Sequence, residues 1–125
     1  AEIKQATCEK EYLARVEFCG SDIDFAAIDK KLDAIKEGGR WVLAQGTPIR
    51  VMHRRGKDIV RERWLELLEH QADGDARVLR LRSQHGTYIK EAISSDDGRT
   101  KDSFAELLDV DCVCAQLDVL GVFLD

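Results

Sequence analysis

The spacing of apolar residues predicts a different element in each of the first two segments of the chain. Residues 10–19 alternate apolar with charged side chains, which predicts a half-buried strand with Tyr12, Ala14, Val16 and Phe18 on its inward face. Apolar residues then recur at three- and four-residue intervals, at Phe25, Ile28, Leu32 and Ile35. This spacing predicts an amphipathic helix that is capped by Ser21 or Asp22 and ends at Gly38-Gly39.

Two short extended segments are predicted after this helix. Trp41–Leu43 has the composition of a short strand, and a turn follows at Gly46-Thr47-Pro48. Residues 49–53 are predicted to be extended again. On a strand, Arg50 and Met52 would point one way and Val51 and His53 the other.

Residues 57–71 carry a mixed pattern. The spacing of Val60, Trp64 and Leu68 slightly favours a helix. The alternation over residues 61–67 also suits a long strand, which would pair with residues 76–83 through a turn at Asp73-Gly74-Asp75. The periodicity alone leaves both interpretations open.

The last third of the chain predicts short helices and a closing strand. A helix is expected from Tyr88 to Ser94, then a turn at residues 96–98, then a second helix capped by Asp102 and running through Leu108. The closing strand alternates at Val113, Ala115, Leu117 and Val119. There are no internal repeats or low-complexity linkers, so we expect a single domain over residues 1–125, with an α+β fold built on a largely antiparallel sheet.

Charge is distributed unevenly along the sequence. The net charge is −5, yet residues 40–63 carry seven basic residues against two acids, and residues 77–90 carry four basic residues and no acid. Residues 91–125 hold nine acids and two basic residues. Such segregation suits a basic face that binds a polyanion, but solvated strand faces explain it equally well.

The cysteines and the N-terminal residues indicate an intracellular protein, in the cytoplasm or the nucleus. The first residues lack the apolar core of a signal peptide, so we expect Cys8, Cys19, Cys112 and Cys114 to be free thiols. Cys112 and Cys114 would share one strand face and could contribute to a zinc site. Histidines at matching spacing are missing and buried free cysteines are common, so the sequence favours free thiols over a zinc site.

Four sequence blocks, in this order, resemble one enzyme family: KEY at Lys10–Tyr12, TPIRVMHRR at Thr47–Arg55, HGTYIKE at His85–Glu91 and DDGRTK at Asp96–Lys101. The family is that of the archaeal and eukaryotic tRNA pseudouridine synthases that act on the T-loop, and the resemblance covers the C-terminal part of their catalytic domain. It implies that residues 57–83 form a long hairpin, and this overrides the slight preference for a helix. It also implies tRNA as substrate and partner, and isomerisation of a uridine without metal or nucleotide cofactor.

The resemblance implies a role for each residue of a candidate site. Tyr12 matches the tyrosine on which the flipped base stacks, and its hydroxyl could take part in proton transfer. Lys90 matches the basic residue that pairs with the catalytic aspartate, and Ile89 would form an apolar wall of the pocket. Gly86 and Thr87 would line the substrate site, where a glycine allows close approach of the backbone.

Basic side chains near these blocks are candidates for RNA phosphate contacts, which position RNA without reading its sequence. They are Arg50, His53, Arg54, Arg55, Arg99 and Lys101.

The catalytic aspartate of the family precedes the K-x-Y strand, and residues 1–9 contain no aspartate. We therefore expect this chain to be a portion of a longer synthase, inactive alone, whose aspartate lies in a missing N-terminal part. The alternatives are a non-catalytic RNA-binding relative and an acidic protein-interaction module. Exposed sheet edges would allow a dimer.

Overall fold

The computed structural model describes residues 8–55 and 58–123, without the side chain of Arg55. Six strands form one antiparallel sheet in the order β5-β2-β3-β4-β1-β6. The strands are β1 (Glu9–Phe18), β2 (Arg40–Gln45), β3 (Arg61–Asp73), β4 (Ala76–Gln84), β5 (Thr100–Lys101) and β6 (Cys112–Phe123). The helices are α1 (Phe25–Gly38), α2 (Ile49–Arg55), α3 (Ile89–Ser94) and α4 (Phe104–Leu108). The predicted α+β class is confirmed.

The central hairpin settles the mixed pattern of residues 57–71. β3 and β4 pair from Leu65 opposite Ser83 to Asp73 opposite Ala76, so the hairpin prediction is confirmed and the helical periodicity is misleading. The register shifts between Leu67 and Glu69, because Leu68 has no opposite partner. This bulge breaks the alternation of the strand, which is why the sequence pattern also fitted a helix.

The predicted helix α1 is present, but its cap differs. Ile28 and Leu32 are its buried residues, and it ends at Gly38 with Gly39 at φ +74°, as the paired glycines predict. The predicted caps, Ser21 and Asp22, are wrong. The Asp24 carboxylate accepts a hydrogen bond from the Ala27 N–H at 3.0 Å, and it is therefore the N-cap.

Residues 49–53 are helical rather than extended, which corrects the predicted strand and the side-chain directions drawn from it. Helix α2 begins directly after Pro48, and its first N–H, that of Ile49, donates to the Asp96 carboxylate at 3.0 Å. A carboxylate at the start of a helix satisfies a backbone N–H that has no partner within the helix. Because Asp96 is distant in sequence, the local pattern of residues 49–53 does not reveal this helix.

The other short elements largely follow the prediction. α3 and the closing strand β6 lie where expected, but the N-cap of α4 is Ser103 and not Asp102. The Ser103 hydroxyl accepts from the Glu106 N–H at 3.2 Å, while the Asp102 N–H donates to Glu106 Oε1 at 2.6 Å. This exchange resembles a capping box, in which a serine and a glutamate satisfy the first helical N–H groups.

The helices cover one face of the sheet, which we call the core face. Its buried residues form one cluster that includes Tyr12, Ala14, Val16, Leu32, Leu43, Leu65, Leu67, Leu81, Ile89 and Phe104. The opposite face carries cross-strand ion pairs, among them Arg80–Glu11, Arg82–Glu9 and Arg40–Glu66. Within the described ranges, no helix combines the length and the apolar character needed to cross a membrane.

Candidate functional site

Three of the four sequence blocks meet around helices α2 and α3. The Gln45 side chain, next to the second block, bonds to both backbone groups of Tyr88 in the third block. The fourth block contributes the Asp96 carboxylate at the start of α2, and Arg99, whose Nε donates to the Thr47 carbonyl at 3.0 Å. Segments far apart in sequence are therefore joined by direct hydrogen bonds.

Tyr12, in the first block, lies where the helical cover of the core face ends. Its side chain belongs to the buried cluster and is 8% exposed, whereas Val119, its partner on β6, is 59% exposed. Lys10 and Val122, the next core-face pair along the two strands, are also incompletely covered. We call this part of the core face, formed by Lys10, Tyr12, Ser83, Val119 and Val122, the open end.

The phenol of Tyr12 is protonated at neutral pH. Burial raises its pKa above the ordinary value of 10.0, and the nearby Ser83 hydroxyl opposes this shift by a smaller amount. The two groups lie close together without the geometry of a normal hydrogen bond. A neutral phenol beside a partly open surface can stack on an apolar ring and also donate a proton.

Ile89 and Lys90 occupy adjacent positions with opposite exposure. Ile89 is 3% exposed and belongs to the same buried cluster as Tyr12, as the predicted apolar wall requires. Lys90 is exposed on α3, which packs on β6, and its charge partly offsets the effect of burial in raising the pKa of the Cys114 thiol. Lys90 forms no salt bridge with any carboxylate in the described part of the chain.

Gly86 and Thr87 shape the turn that leads into α3. Gly86 has φ +82°, a backbone conformation that favours glycine, and a Cβ atom built there would lie in tight contact with the Arg63 guanidinium, 3.3 Å from Nε. Thr87 is buried, and its hydroxyl donates to the Gln84 carbonyl at 2.7 Å. The observed close approach at Gly86 is to Arg63, and contact of either residue with RNA stays a prediction.

Arg63 is a residue that the sequence analysis missed. Three buried side-chain atoms have no hydrogen-bond partner within the described ranges: Arg63 Nε, Ser83 Oγ and His85 Nδ1. Ser83 pairs with Leu65, two residues after Arg63, and His85 directly follows β4, so the three residues lie at the same end of the two central strands. The sequence contained one signal of its position. Arg63 is two and four residues before Leu65 and Leu67, so on a strand it lies on the same face as these two buried residues.

Helix α2 presents several of the predicted RNA contacts. His53 and Arg54 are exposed, and Arg54 lines an open cleft of about 440 Å³ together with Arg50, Val51 and Tyr88. The Arg50 guanidinium lies 5.8 Å from the centre of the Tyr88 ring and also pairs with Glu91. The side chain of Arg55 lies outside the described residues.

The two remaining basic candidates have acidic neighbours. The Arg99 guanidinium binds Asp58 in addition to the Thr47 carbonyl, and Lys101 lies 3.9 Å from Glu106. Pairing extends to the whole basic run of β4, where the partners are Asp29 for Arg77, Glu11 for Arg80 and Glu9 for Arg82. The uneven charge of the sequence is therefore largely neutralised in space along β4. Among the predicted site residues, the exposed Arg54 on α2 and Lys90 on α3 form no salt bridge in the described part of the chain.

The cysteines are free thiols, as expected. Cys112 and Cys114 share the core face of β6, as predicted, and burial raises the pKa of Cys112 to about 12. Among the residues that the structure describes, no three His, Cys, Asp or Glu side chains are grouped so that they could hold a metal ion.

Comparisons with known proteins identify the family. The family model described as "Pus10, C-terminal" matches residues 1–123. A tRNA pseudouridine synthase Pus10 from Methanopyrus kandleri is 43% identical over 97 residues, which are 78% of this chain and 22% of the relative. The same-named protein from Aeropyrum pernix is 39% identical over 121 residues, 94% of this chain and 26% of the relative. The chain thus spans about a quarter of the length of these curated relatives.

Solved structures agree on the fold. A Cbf5-Nop10-Gar1 complex matches with a TM-score of 0.61 and 20% identity, covering 91% of this chain and 30% of the matched chain. An archaeal box H/ACA sRNP Nop10-Cbf5 complex matches with a TM-score of 0.52 and 23% identity, covering 94% and 29%. Together with the family match, these similarities confirm the resemblance found in the four sequence blocks, and the chain belongs to the Pus10 C-terminal family.

Proposed function

We propose that this chain is the portion of a tRNA pseudouridine synthase catalytic domain that supplies the base-stacking tyrosine and the lysine partner of the catalytic aspartate. The reaction converts a T-loop uridine to pseudouridine: the uracil is detached from its ribose, rotated and rejoined through carbon. The observation that carries the proposal is the placement of Tyr12 and Ile89 in one buried cluster at the edge of the helical cover, with Lys90 exposed on the same side of the sheet.

Each residue has a role that suits its surroundings. The Tyr12 ring offers a stacking surface beside the exposed Val119, and its phenol stays protonated at neutral pH. Ile89 supplies an apolar wall, which excludes water from the base. The Lys90 ammonium would hold a carboxylate in its ionised form, since a nearby positive charge lowers a carboxyl pKa.

The aspartate is proposed to come from outside this chain. Asp22 and Asp24 follow the strand that carries Tyr12, whereas the catalytic aspartate of the family precedes it, and Asp24 is engaged as the N-cap of α1. Neither forms a salt bridge with Lys90 in the described part of the chain. Exposed His53 and Arg54 on α2 are proposed to contact RNA phosphates, together with Arg50, Arg55, Arg99 and Lys101 as weaker candidates.

The test is single-turnover conversion of a T-loop uridine in tRNA by the full-length protein that contains this chain. We expect Tyr12→Ala and Lys90→Ala to lower the rate by about 100-fold or more, since groups acting on protons or charges contribute at least that much, while tRNA affinity stays close to the wild-type value. Lys30→Ala, at an exposed position on α1, is the matched control and should leave the rate unchanged. Wild-type rates in both site variants would refute the proposed roles.

The same experiment separates the second candidate, an RNA-binding relative without activity, which is favoured by the lack of a suitably placed aspartate in residues 8–55 and 58–123. That protein would bind tRNA with strong salt dependence and convert no uridine even at full length. Undetectable binding at low salt would instead favour an acidic protein-interaction module.

A dimer is also proposed, through the edge strand β6. Val119, Leu120, Val122 and Phe123 are exposed along it, and an unpaired strand edge can pair with a second copy. Sedimentation velocity of this chain over a range of concentrations would detect the dimer, and a constant monomeric value would exclude it.

A further inference from the structure

The backbone two residues before Lys90, at Tyr88, is held by one buried side chain, that of Gln45. Its Oε1 accepts from the Tyr88 N–H at 3.0 Å, and its Nε2 donates to the Tyr88 carbonyl at 3.0 Å. The same Nε2 lies 3.4 Å from the Thr100 hydroxyl, and Gln45 is 3% exposed. A buried amide with its donor and acceptor both used on one residue fixes the position of that residue closely.

The residue directly after Lys90 is held by a second contact from the same part of the chain. Glu91 is 6% exposed, and its carboxylate receives two hydrogen bonds from Arg50, from Nε at 2.9 Å and from Nη2 at 3.4 Å. The guanidinium and carboxylate thus form a two-point pair that fixes their relative orientation. The hydrogen bond that Arg50 donates to Glu91 is also the main cause that raises the pKa of Arg50.

Helix α3 needs such contacts because it cannot set its own position. It has six residues, and its N-cap, Tyr88, makes no side-chain capping bond. A helix this short is unstable in isolation and takes its position from tertiary contacts. The flexible lysine side chain can be aimed only if its backbone is fixed.

We propose that Gln45 and the Arg50–Glu91 pair are positioning residues that hold Ile89 and Lys90 in place for the isomerisation. This inference rests on the proposed function. Arg50 thereby has a role distinct from an RNA phosphate contact. The inference also explains why the second and third sequence blocks occur together, because β2 and α2 carry the residues that hold α3 by hydrogen bonds. The active lysine is thereby aimed by side chains that themselves touch neither base nor sugar.

A matched ion pair distinguishes positioning from general stabilisation. Arg77 binds Asp29 with the same two-point geometry, at 2.6 Å and 3.1 Å, and joins β4 to α1. Arg77 lies at the start of β4, whereas Ser83, at the other end of that strand, belongs to the open end. Asp29→Asn therefore removes a carboxylate with the same pairing geometry, on a side chain that is 40% exposed against 8% for Glu91, without disturbing α3.

The experiment compares Glu91→Gln with Asp29→Asn in the full-length protein, using single-turnover conversion, tRNA affinity and melting temperature. For Glu91→Gln we expect a fall in rate of about tenfold or more with tRNA affinity within about twofold of wild type, because small displacements of a catalytic group are costly. Asp29→Asn should keep the wild-type rate, with a melting temperature similar to that of Glu91→Gln. Equal rates in the two variants would overturn the proposal.

Two further variants test the assignment of Arg50. Arg50→Lys keeps the charge but loses the two-point contact, so it should reproduce the fall in rate, and adding Glu91→Gln should cause little further loss. A weakened tRNA affinity in Arg50→Lys, with no change of rate at saturating tRNA, would instead make Arg50 an RNA contact and overturn its positioning role.

Failure of the proposed function is recognised separately. If the wild-type protein converts no uridine, the proposed function is refuted. The positioning of α3 by Gln45 and the Arg50–Glu91 pair is then tested by amide hydrogen exchange. Amide exchange at residues 88–91 should then be faster in Glu91→Gln than in Asp29→Asn. Equal exchange rates would refute the claim that the Arg50–Glu91 pair fixes α3.

Discussion

The two ends of the core face are built on different principles. At the covered end, under α1 and α4, large apolar side chains are fully buried: Leu32, Leu43 and Phe104 are all 0% exposed. At the open end, the buried Tyr12 and Ser83 lie beside the exposed Val119 and Val122, and the Ser83 hydroxyl, like the nearby Arg63 Nε and His85 Nδ1, has no partner within the described ranges. We therefore expect the stability of this chain to be concentrated away from its candidate site, because unpartnered buried polar groups destabilise a fold.

The largest loss of stability is expected from Phe104→Ala at the covered end. Phe104 is fully buried and packs edge-on against the Trp41 ring at 5.4 Å, so its removal leaves a cavity. We expect a loss of about 3–5 kcal/mol in the free energy of unfolding, measured by urea titration. Leu107→Ala, on the same helix but 38% exposed, should cost less than about 1 kcal/mol. Equal losses would show that the covered end is not the main source of stability.

A smaller loss is expected from Gly86→Ala near the open end. The backbone at φ +82° disfavours any residue with a Cβ, which costs about 1–2 kcal/mol, and the new methyl would press on Arg63. Gly38→Ala is the control, since it has an ordinary φ and nothing within 4 Å of the added atom, and it should stabilise the chain by up to about 1 kcal/mol. If Gly86→Ala were neutral, the turn before α3 would not be constrained as described.

The smallest effect concerns the boundary between the two ends, where Lys90 lies near Cys114. Because the Lys90 charge lowers the Cys114 pKa, Lys90→Met should raise that pKa, reduce the thiolate fraction and slow alkylation of Cys114 at pH 8–9. Cys112, with a pKa of about 12, should react far more slowly than the exposed Cys19 in both proteins. Mass-spectrometric mapping of the labelled peptides measures each thiol separately, and an unchanged rate at Cys114 would place Lys90 elsewhere.

The sequence predicted those elements whose apolar spacing is regular. β1 and α1 follow directly from periods of two and of three to four, since each buries one face of a continuous element. β3 was ambiguous because Leu68 sits in a bulge, and α2 was missed because its first N–H is satisfied by the distant Asp96. The local spacing of apolar residues does not show a hydrogen-bond partner that comes from a distant segment of the chain.

The candidate site divides in a similar way. Tyr12, Ile89 and Lys90 were found through their blocks, and the structure places the first two in one cluster. Arg63 was missed because its phase with Leu65 and Leu67 is informative only if residues 61–67 form a strand, and the periodicity left that open. The sequence could not decide between a basic binding face and solvated strand faces for a related reason. The basic residues of β4 are separated from their acidic partners by long stretches of chain.

The two contacts that hold α3, Gln45 with the Tyr88 backbone and Arg50 with Glu91, have different consequences for which substitutions related sequences can carry. Gln45 binds only the backbone of Tyr88, so a substitution at position 88 leaves both hydrogen bonds available, while position 45 tolerates few alternatives. Arg50 and Glu91 contact through side chains, so a change in either leaves its partner unmatched. Positions 50 and 91 are therefore expected to change together among related sequences, whereas position 88 can change while position 45 stays glutamine.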